Sequence, residues 1–333
     1  MVNQNEILGN ESIKNYFHAA MEHQRVSHAY ILEGEKGCGK KTIAAMYAKS
    51  LQCEAESGKP CGKCTSCLQT ESRNHPDIIW VQHEKPNIIS VGEIREQVIN
   101  TIDVKPYRGP YKIYIIDEAE KMNDSAQNAI LKTIEEPTEY AIIFLLTTSR
   151  GAFLPTILSR CILLSIKPLT TSLIRSYLMQ KLSVDEGLAD FYAGFSMGNL
   201  GKAINIASSE EFNEMRGHAL HLLKGIHELE NNELDEQVKQ CKAYKDRISD
   251  YFDMMRMWFR DLLILKTTKE REKLIFHTSI VELSKQSAML RLDAIDKIFG
   301  LIDQAERQIR SYVNFEAAMD VMLQEMKACY QHR

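Results

Sequence analysis

Short apolar runs alternate with helix-like segments through the first half of the chain. Segments such as 42–51 and 125–134 repeat apolar residues at helical spacing. Between them lie apolar runs that predict buried strands, at residues 29–33, 112–118, 141–146 and 162–166. Because strands that alternate with helices usually form a parallel sheet, this half predicts an α/β domain.

The second half of the chain has a helical pattern. Residues 167–169 (Lys-Pro-Leu) interrupt the strand pattern, and three short helices are predicted after them, at 172–182, 186–195 and 202–208. From about Glu210 there is no strand signal, and apolar residues such as Trp258 and Leu262 recur at steps of three and four. The predicted fold class is therefore α/β followed by all-α.

Length and composition restrict the class of protein. A chain of 333 residues is expected to form two or three domains. The net charge of −4 gives no global attraction to nucleic acid or to an anionic membrane, and no basic stripe is recognisable. Without a long apolar run or a signal-peptide pattern, we expect a cytoplasmic protein with no membrane contact. In that reducing compartment, clustered cysteines indicate a metal site.

A phosphate-binding loop with one part missing follows the first strand. Gly34, Gly39 and Lys40 match the spacing G-x-x-x-x-G-K-[ST], in which backbone N–H groups and the lysine hold phosphates. The next position should carry the hydroxyl that binds Mg²⁺, but it is Lys41, and Thr42 comes one residue late. The loop, which includes Gly37, therefore predicts phosphate binding, with ATP as the expected nucleotide. It argues against efficient hydrolysis that depends on Mg²⁺.

Two carboxylates end the strand at 112–118. Asp117 and Glu118 match a Walker B element, in which the aspartate holds Mg²⁺ and the glutamate orients the attacking water. Taken alone this is a weak signal, because strands often end in acidic residues, but its position after a P-loop strengthens it. The strand at 141–146 ends near Thr148, which we expect to sense a γ-phosphate.

A cluster of cysteines follows the P-loop helix. Its spacing is C-x7-C-x2-C-x2-C, formed by Cys53, Cys61, Cys64 and Cys67. Four thiolates at such spacing suit a structural, tetrahedral Zn²⁺ site, with Gly58, Pro60 and Gly62 supplying turns. The alternative is three ordinary buried cysteines on one helix face. His75 and His83 are substitute ligands in principle, but we expect them to be surface or loop histidines.

In their order along the chain, these motifs resemble the bacterial clamp-loader subunits of the AAA+ class, and among them the delta-prime family of DNA polymerase III. The resemblance covers about residues 5–170. Besides the P-loop and the cysteines it rests on further segments: Ser27-His28-Ala29-Tyr30, His75-Pro76-Asp77 before a strand at 78–81, the run 117–122, the run 131–137, and Leu158-Ser159-Arg160-Cys161.

The resemblance implies a domain order and a set of partners. A RecA-like AAA+ domain would span 1–167, with the zinc module inserted at about 52–70, a helical lid at 168–209 and an oligomerising helical collar at 210–333. The implied partners are the gamma/tau motor subunits and the delta subunit in a hetero-pentamer, the sliding clamp, and primer–template DNA bound through the complex. In this family the arginine matching Arg160 is a finger that reaches the neighbouring subunit's γ-phosphate, whereas without the family it would be a surface residue.

Two departures separate the chain from the family's motor subunits. One is Lys41, and the other is Gly201, which falls where motor subunits carry the sensor 2 arginine; Lys202 is adjacent. We therefore expect weak or absent hydrolysis by the chain itself, although the Walker B pair is intact. The alternatives are an active gamma/tau-like motor subunit, an autonomous P-loop NTPase or kinase, and a zinc-ribbon protein that binds nucleic acid.

Overall fold

The first half of the chain folds around a parallel β-sheet, as predicted. The structure is a computed structural model that describes residues 7–56 and 59–331, so Gly58, predicted to supply a turn, lies outside the described residues. The strands are β1 (Ala29–Glu33), β2 (Ile78–Val81), β3 (Lys112–Ile116), β4 (Ala141–Thr147) and β5 (Ile162–Ser165).

The order of the strands brings the predicted motifs to one edge of the sheet. The order is β2-β3-β4-β1-β5, with every neighbouring pair parallel. In register, Ile31 of β1 lies opposite Leu145 of β4 and Leu163 of β5, and Ile115 of β3 lies opposite Phe144 of β4. Since the strands are parallel, the segments that follow β1, β3 and β4 all leave from the same edge.

Alternating side chains of the strands build a core on each face of the sheet. Tyr30 and Leu32 of β1 belong to one buried cluster, and Ile31 belongs to the other. Both faces are apolar because helices cover a parallel sheet on both sides. The α-helices up to β5 are α1 (Glu11–Glu22), α2 (Lys40–Gln52), α3 (Thr65–Glu71), α4 (Val91–Ile94), α5 (Asn100–Ile102), α6 (Asp124–Glu135) and α7 (Pro155–Leu158). A π-helix, Arg95–Ile99, joins α4 to α5.

After β5 the described chain is helical. Trp258, Phe212 and Phe252 are among its largest fully buried side chains. No helix among residues 7–56 and 59–331 is both long and apolar enough to cross a membrane. The helices are α8 (Thr171–Leu182), α9 (Glu186–Phe195), α10 (Leu200–Ala207), α11 (Glu210–Gly225), α12 (Asn231–Cys241), α13 (Ile248–Thr267), α14 (Ile280–Met289), α15 (Leu292–Arg310) and α16 (Phe315–Gln331).

The chain divides into two compact units. The first extends to Leu173 and takes in Gly198–Lys202, and the second consists of Ile174–Met197 and the described residues from Ala203 onward. The division into a AAA+ domain, a lid and a collar at 168 and 210 stays a prediction.

Candidate functional site

The P-loop connects β1 to α2 in the first unit. Gly37 and Gly39 have φ angles of 88° and 99°, in a region of backbone conformation that residues with a Cβ rarely adopt. Lys40, the first residue of α2, is buried, and its Nζ donates to the carbonyl oxygens of Gly34 (2.6 Å) and Glu35 (2.8 Å). The lysine that a P-loop offers to phosphates is here bonded to the loop itself.

A cleft of about 380 Å³ lies beside this loop. Lys36 and Glu120 line it together with all but one of the predicted nucleotide-binding residues. Those residues are Gly37, Gly39, Lys40, Lys41, Thr42, Asp117, Glu118 and Thr148. The remaining one, Gly34, stands at the start of the loop and donates its N–H to the Thr147 carbonyl oxygen. Residues from three different segments therefore meet where a nucleotide's phosphates are expected.

Lys41 and Asp117 form an ion pair inside the cleft. The Lys41 Nζ lies 2.6 Å from Oδ2 of Asp117, the residue that follows β3 by one position. Mg²⁺ requires near-octahedral oxygen ligands at about 2.1 Å. The residue at position 41 supplies no oxygen ligand. Its ammonium is bonded instead to the Asp117 carboxylate, which would hold the ion. These residues do not fit a P-loop Mg²⁺ site.

Other polar groups of the cleft are also bonded to one another. The Lys121 Nζ donates to Oε2 of Glu118 at 2.5 Å, and this bond holds the pKa of Glu118 below its usual value. The Thr148 hydroxyl donates to Oε1 of Glu120 at 2.7 Å. The predicted water-orienting carboxylate and the predicted phosphate sensor thus both have partners within the protein.

The segment Gly198–Lys202 packs on the P-loop within the first unit. The Asn199 Nδ2 donates to the Lys36 carbonyl oxygen at 2.7 Å, and the Gly201 N–H donates to the Gly37 carbonyl oxygen at 3.1 Å. A Cβ at Gly201 would lie 2.4 Å from that carbonyl oxygen, closer than any real contact. The backbone approach excludes a side chain at position 201, where a motor subunit is expected to carry arginine.

Arg160 lies at the opposite edge of the sheet. It stands between α7 and β5, before the strand begins, whereas the P-loop, Asp117 and Thr148 follow strand ends. Its Nη2 is 3.2 Å from Oε1 of Glu135, and both side chains are about 40% exposed. The four residues of β5 alone separate the two edges by ~13 Å, at about 3.3 Å per residue. Arg160 therefore lies at the other end of the strands from the chain's own cleft.

The four cysteines predicted to bind metal converge, with all four Sγ atoms within 4.8 Å of one another. Backbone N–H groups of three of them point at the preceding thiol, for example Cys61 N–H at Sγ of Cys53 (3.3 Å). The backbone N–H groups of Lys63 and Cys64 lower the pKa of the Cys61 thiol to about 6, whereas burial raises the pKa of Cys67. Because α3 begins only at Thr65, Cys61 is not on a shared helix face, and the set fits one four-coordinate metal ion.

His75 lies in the loop between α3 and β2, one of the two placements predicted for it, but it is not on the surface. Its ring is buried, with Nε2 2.9 Å from the Ser66 hydroxyl and Nδ1 accepting the Asp77 N–H. His83 does lie in an exposed loop, where Nδ1 is 2.7 Å from the Lys85 carbonyl oxygen. Neither histidine belongs to the group of close metal-binding residues that the described chain contains.

Sequence reasoning identified the residues of the cleft but missed the bonds between them. The motif spacing shows that Lys41 stands where the loop hydroxyl is expected, but it does not reveal the ion pair of Lys41 with Asp117. Lys121 and Asn199 stand in motifs that the sequence shows, but neither was among the predicted site residues. A lysine in the hydroxyl position together with an intact Walker B aspartate was the one available signal for the ion pair.

Comparison with known proteins finds similarity to the same family that the motifs resemble. Residues 9–170 match the family described as DNA polymerase III, delta subunit. The chain is 29% identical over 313 residues to DNA polymerase III subunit delta' of Bacillus subtilis, covering 92% of this chain and 93% of that one. It is 27% identical over 332 residues to the tau subunit of the same organism, covering 92% of this chain but only 58% of tau. A DNA polymerase III gamma subunit-related protein of Thermotoga maritima superposes with a TM-score of 0.46 at 16% identity, covering 96% of this chain and 99% of that structure.

Proposed function

Because this chain belongs to the family of DNA polymerase III clamp-loader subunits, we propose that it acts as the delta-prime subunit of a clamp loader. In this role it assembles with gamma/tau and delta subunits in a hetero-pentamer, which places the sliding clamp on primer–template DNA during replication. Its helical segment from residue 210 serves as the collar that holds the subunits together. Its own ATPase activity is weak or absent.

The position of Arg160 carries this proposal. The guanidinium lies beyond the start of β5, away from the chain's own cleft, and its bond to Glu135 is exposed on both sides. Arginine suits a finger because it keeps its charge and its planar fork binds two phosphate oxygens. We propose that Arg160 contacts the γ-phosphate held by the neighbouring subunit.

The ion pair between Lys41 and Asp117 supports the proposal that the chain itself hydrolyses ATP weakly or not at all. Hydrolysis in P-loop proteins depends on Mg²⁺ held by the loop hydroxyl and the Walker B aspartate. In this chain those two positions bond to each other, and the close approach at Gly201 leaves no room for sensor 2. These contacts count against the motor-subunit alternative, which the intact Asp117 and Glu118 and the likeness to tau favour.

The four cysteines serve as a structural Zn²⁺ site in this proposal. Their spacing and mutual closeness suit a tetrahedral ion with no open position. Native mass spectrometry of the purified chain should give one Zn²⁺ per chain, and Cys64→Ser should lose it. A wild-type chain that binds no Zn²⁺ would contradict this part.

The finger is tested in the reconstituted loader by measuring ATP turnover with clamp and primed DNA. Arg160→Ala should slow the neighbouring site by ~10³-fold, at the lower end of known finger effects. Arg108→Ala is the matched control, because Arg108 pairs with Glu54 at 3.0 Å and both side chains are as exposed as those of Arg160 and Glu135. Light scattering must show both variants in intact pentamers. Equal turnover for the two variants would remove the finger role.

A further inference from the structure

The ammonium of Lys41 lies where a P-loop protein places its metal ion. In such proteins Mg²⁺ joins three partners, the loop hydroxyl, the Walker B aspartate and the phosphate oxygens. Here the residue at the hydroxyl position bonds directly to the aspartate, with 2.6 Å between Lys41 Nζ and Asp117 Oδ2. The Lys41 side chain therefore supplies a positive charge beside the aspartate that would hold the metal ion, and it is bonded to one of the two carboxylate oxygens.

The ammonium of Lys41 has further donors besides the one bonded to Asp117, and its side chain lines the cleft. A lysine ammonium has three N–H groups, and the bond to Asp117 uses one of them. The Lys41 side chain is 56% exposed, and it lines the cleft together with Lys36 and Lys40. The ammonium can thus bridge Asp117 and a phosphate oxygen, as a metal ion would.

The charges around the cleft favour an anion without its metal. Asp117 is bonded to Lys41, Glu118 to Lys121, and Glu120 accepts from Thr148. A divalent cation would have to displace an ammonium to reach Asp117. A polyphosphate would meet Lys36, Lys40 and Lys41 together with the N–H groups of the first turn of α2, which have no acceptor within the helix.

We propose that Lys41 is a built-in cation that replaces Mg²⁺, so that the cleft binds a nucleoside polyphosphate as the metal-free anion and rejects its Mg²⁺ complex. No bond is broken in this role, and the nucleotide is held without hydrolysis. The inference concerns the chain's own cleft and does not depend on Arg160 acting as a finger.

The test is calorimetric titration of the full-length chain with ATP, in excess EDTA and in excess MgCl₂. Wild type should bind ATP in EDTA and bind it more weakly in MgCl₂, because Mg²⁺ removes free ATP. Lys41→Thr should lose about tenfold to a hundredfold in affinity in EDTA, the loss expected for one charge-assisted hydrogen bond. It should gain affinity on addition of MgCl₂, since the threonine supplies the hydroxyl of an ordinary P-loop.

Two further variants make the result specific. Asp117→Asn should tighten ATP binding in EDTA, because it removes the anion that competes for Lys41, whereas in a site that needs Mg²⁺ it should weaken binding. Lys242→Thr is the control, since Lys242 is similarly exposed and pairs with Glu316 at 2.8 Å outside the cleft. It should bind ATP like wild type in both buffers.

Tighter binding by wild type in MgCl₂ than in EDTA would overturn the proposal, as would no ATP binding in either buffer. Lys41→Thr and Lys242→Thr binding ATP alike in EDTA would also overturn it. The readout is ATP binding by the isolated chain, so this inference fails or holds separately from the loader assay of Arg160.

Discussion

The two edges of the sheet differ in how their charged groups are used. At the carboxyl ends of the strands, Asp117 and Glu118 are each bonded to a lysine inside or beside the cleft. At the start of β5, Arg160 has its bonds on the surface, to an exposed glutamate, to the Thr156 carbonyl oxygen and to the Ser159 hydroxyl oxygen. The first edge resembles an ATPase site whose groups are already bonded to one another, and the second presents a cation to the outside.

The strength and exposure of the ion pairs at the two edges bear on what each edge can bind. An exposed ion pair such as that of Arg160 with Glu135 contributes roughly 0–1 kcal/mol, so a neighbouring phosphate can displace the glutamate readily. At the other edge the Lys41–Asp117 pair is also partly exposed, so its strength is not the main obstacle to a metal ion. What counts against the ion is the positive charge of the ammonium beside Asp117 and the missing hydroxyl ligand at position 41. An intact Walker B sequence therefore does not by itself indicate an active ATPase.

The contact between Gly201 and the P-loop gives the largest predicted effect on stability. Gly201→Ala should lower the free energy of unfolding by about 1–3 kcal/mol, because the new Cβ meets backbone that cannot move aside easily. Gly217→Ala is the matched control, a helical glycine with open space around it. It should raise stability by up to about 1 kcal/mol through helix propensity.

Urea unfolding followed by circular dichroism compares the two alanine variants. Opposite signs would support a tight approach at Gly201 that excludes a sensor 2 side chain. If Gly201→Ala stabilises the chain as Gly217→Ala does, the backbone approach is looser, and position 201 has room for an arginine side chain.

The bond between Lys121 and Glu118 predicts a smaller effect that depends on pH. The pKa of Glu118 is lowered in the folded chain from 4.5, so its contribution to stability is present above that pH and is lost as the pH falls through the folded value. Glu118→Gln should therefore destabilise the chain by at most about 1 kcal/mol at pH 7. The difference from wild type should shrink in urea unfolding as the pH falls through the lowered pKa of Glu118. A difference that persists at low pH would mean that Glu118 acts through something other than its charge.

The smallest effect is expected for Glu135→Gln, which weakens the surface bond of Arg160. Stability should change by less than about 1 kcal/mol, because the pair is exposed. Turnover of the reconstituted loader should stay at the wild-type level, since the finger needs only to be free to move. A loss as large as that of Arg160→Ala would instead make Glu135 a residue that positions the finger.

The sequence was sufficient for the elements and the motifs because both depend on local patterns. The apolar run that forms β4 predicted its strand within one residue, and the helix predicted at 186–195 has those bounds in the structure. The bonds within the cleft were out of reach for a different reason. Lys41 and Asp117 are far apart in the chain, and only the strand order brings them together.

The same limit applies to Gly201 and His75. Motif spacing placed Gly201 at the sensor position, but the backbone contact with Gly37 follows from how the segment 198–202 packs. The sequence allows a loop position for His75 but does not reveal that its ring is buried, with Nε2 beside the Ser66 hydroxyl and Nδ1 accepting the Asp77 N–H. Patterns of residue types do not reveal such partners.

The central claim is that this chain contributes to ATP turnover from the Arg160 edge and not from its own cleft. The most direct test places Arg160→Ala and Glu118→Gln separately in the reconstituted loader and compares ATP turnover with clamp and primed DNA. We predict a large loss for Arg160→Ala and wild-type turnover for Glu118→Gln. A loss with Glu118→Gln and none with Arg160→Ala would contradict the account and identify the chain as an ATPase subunit.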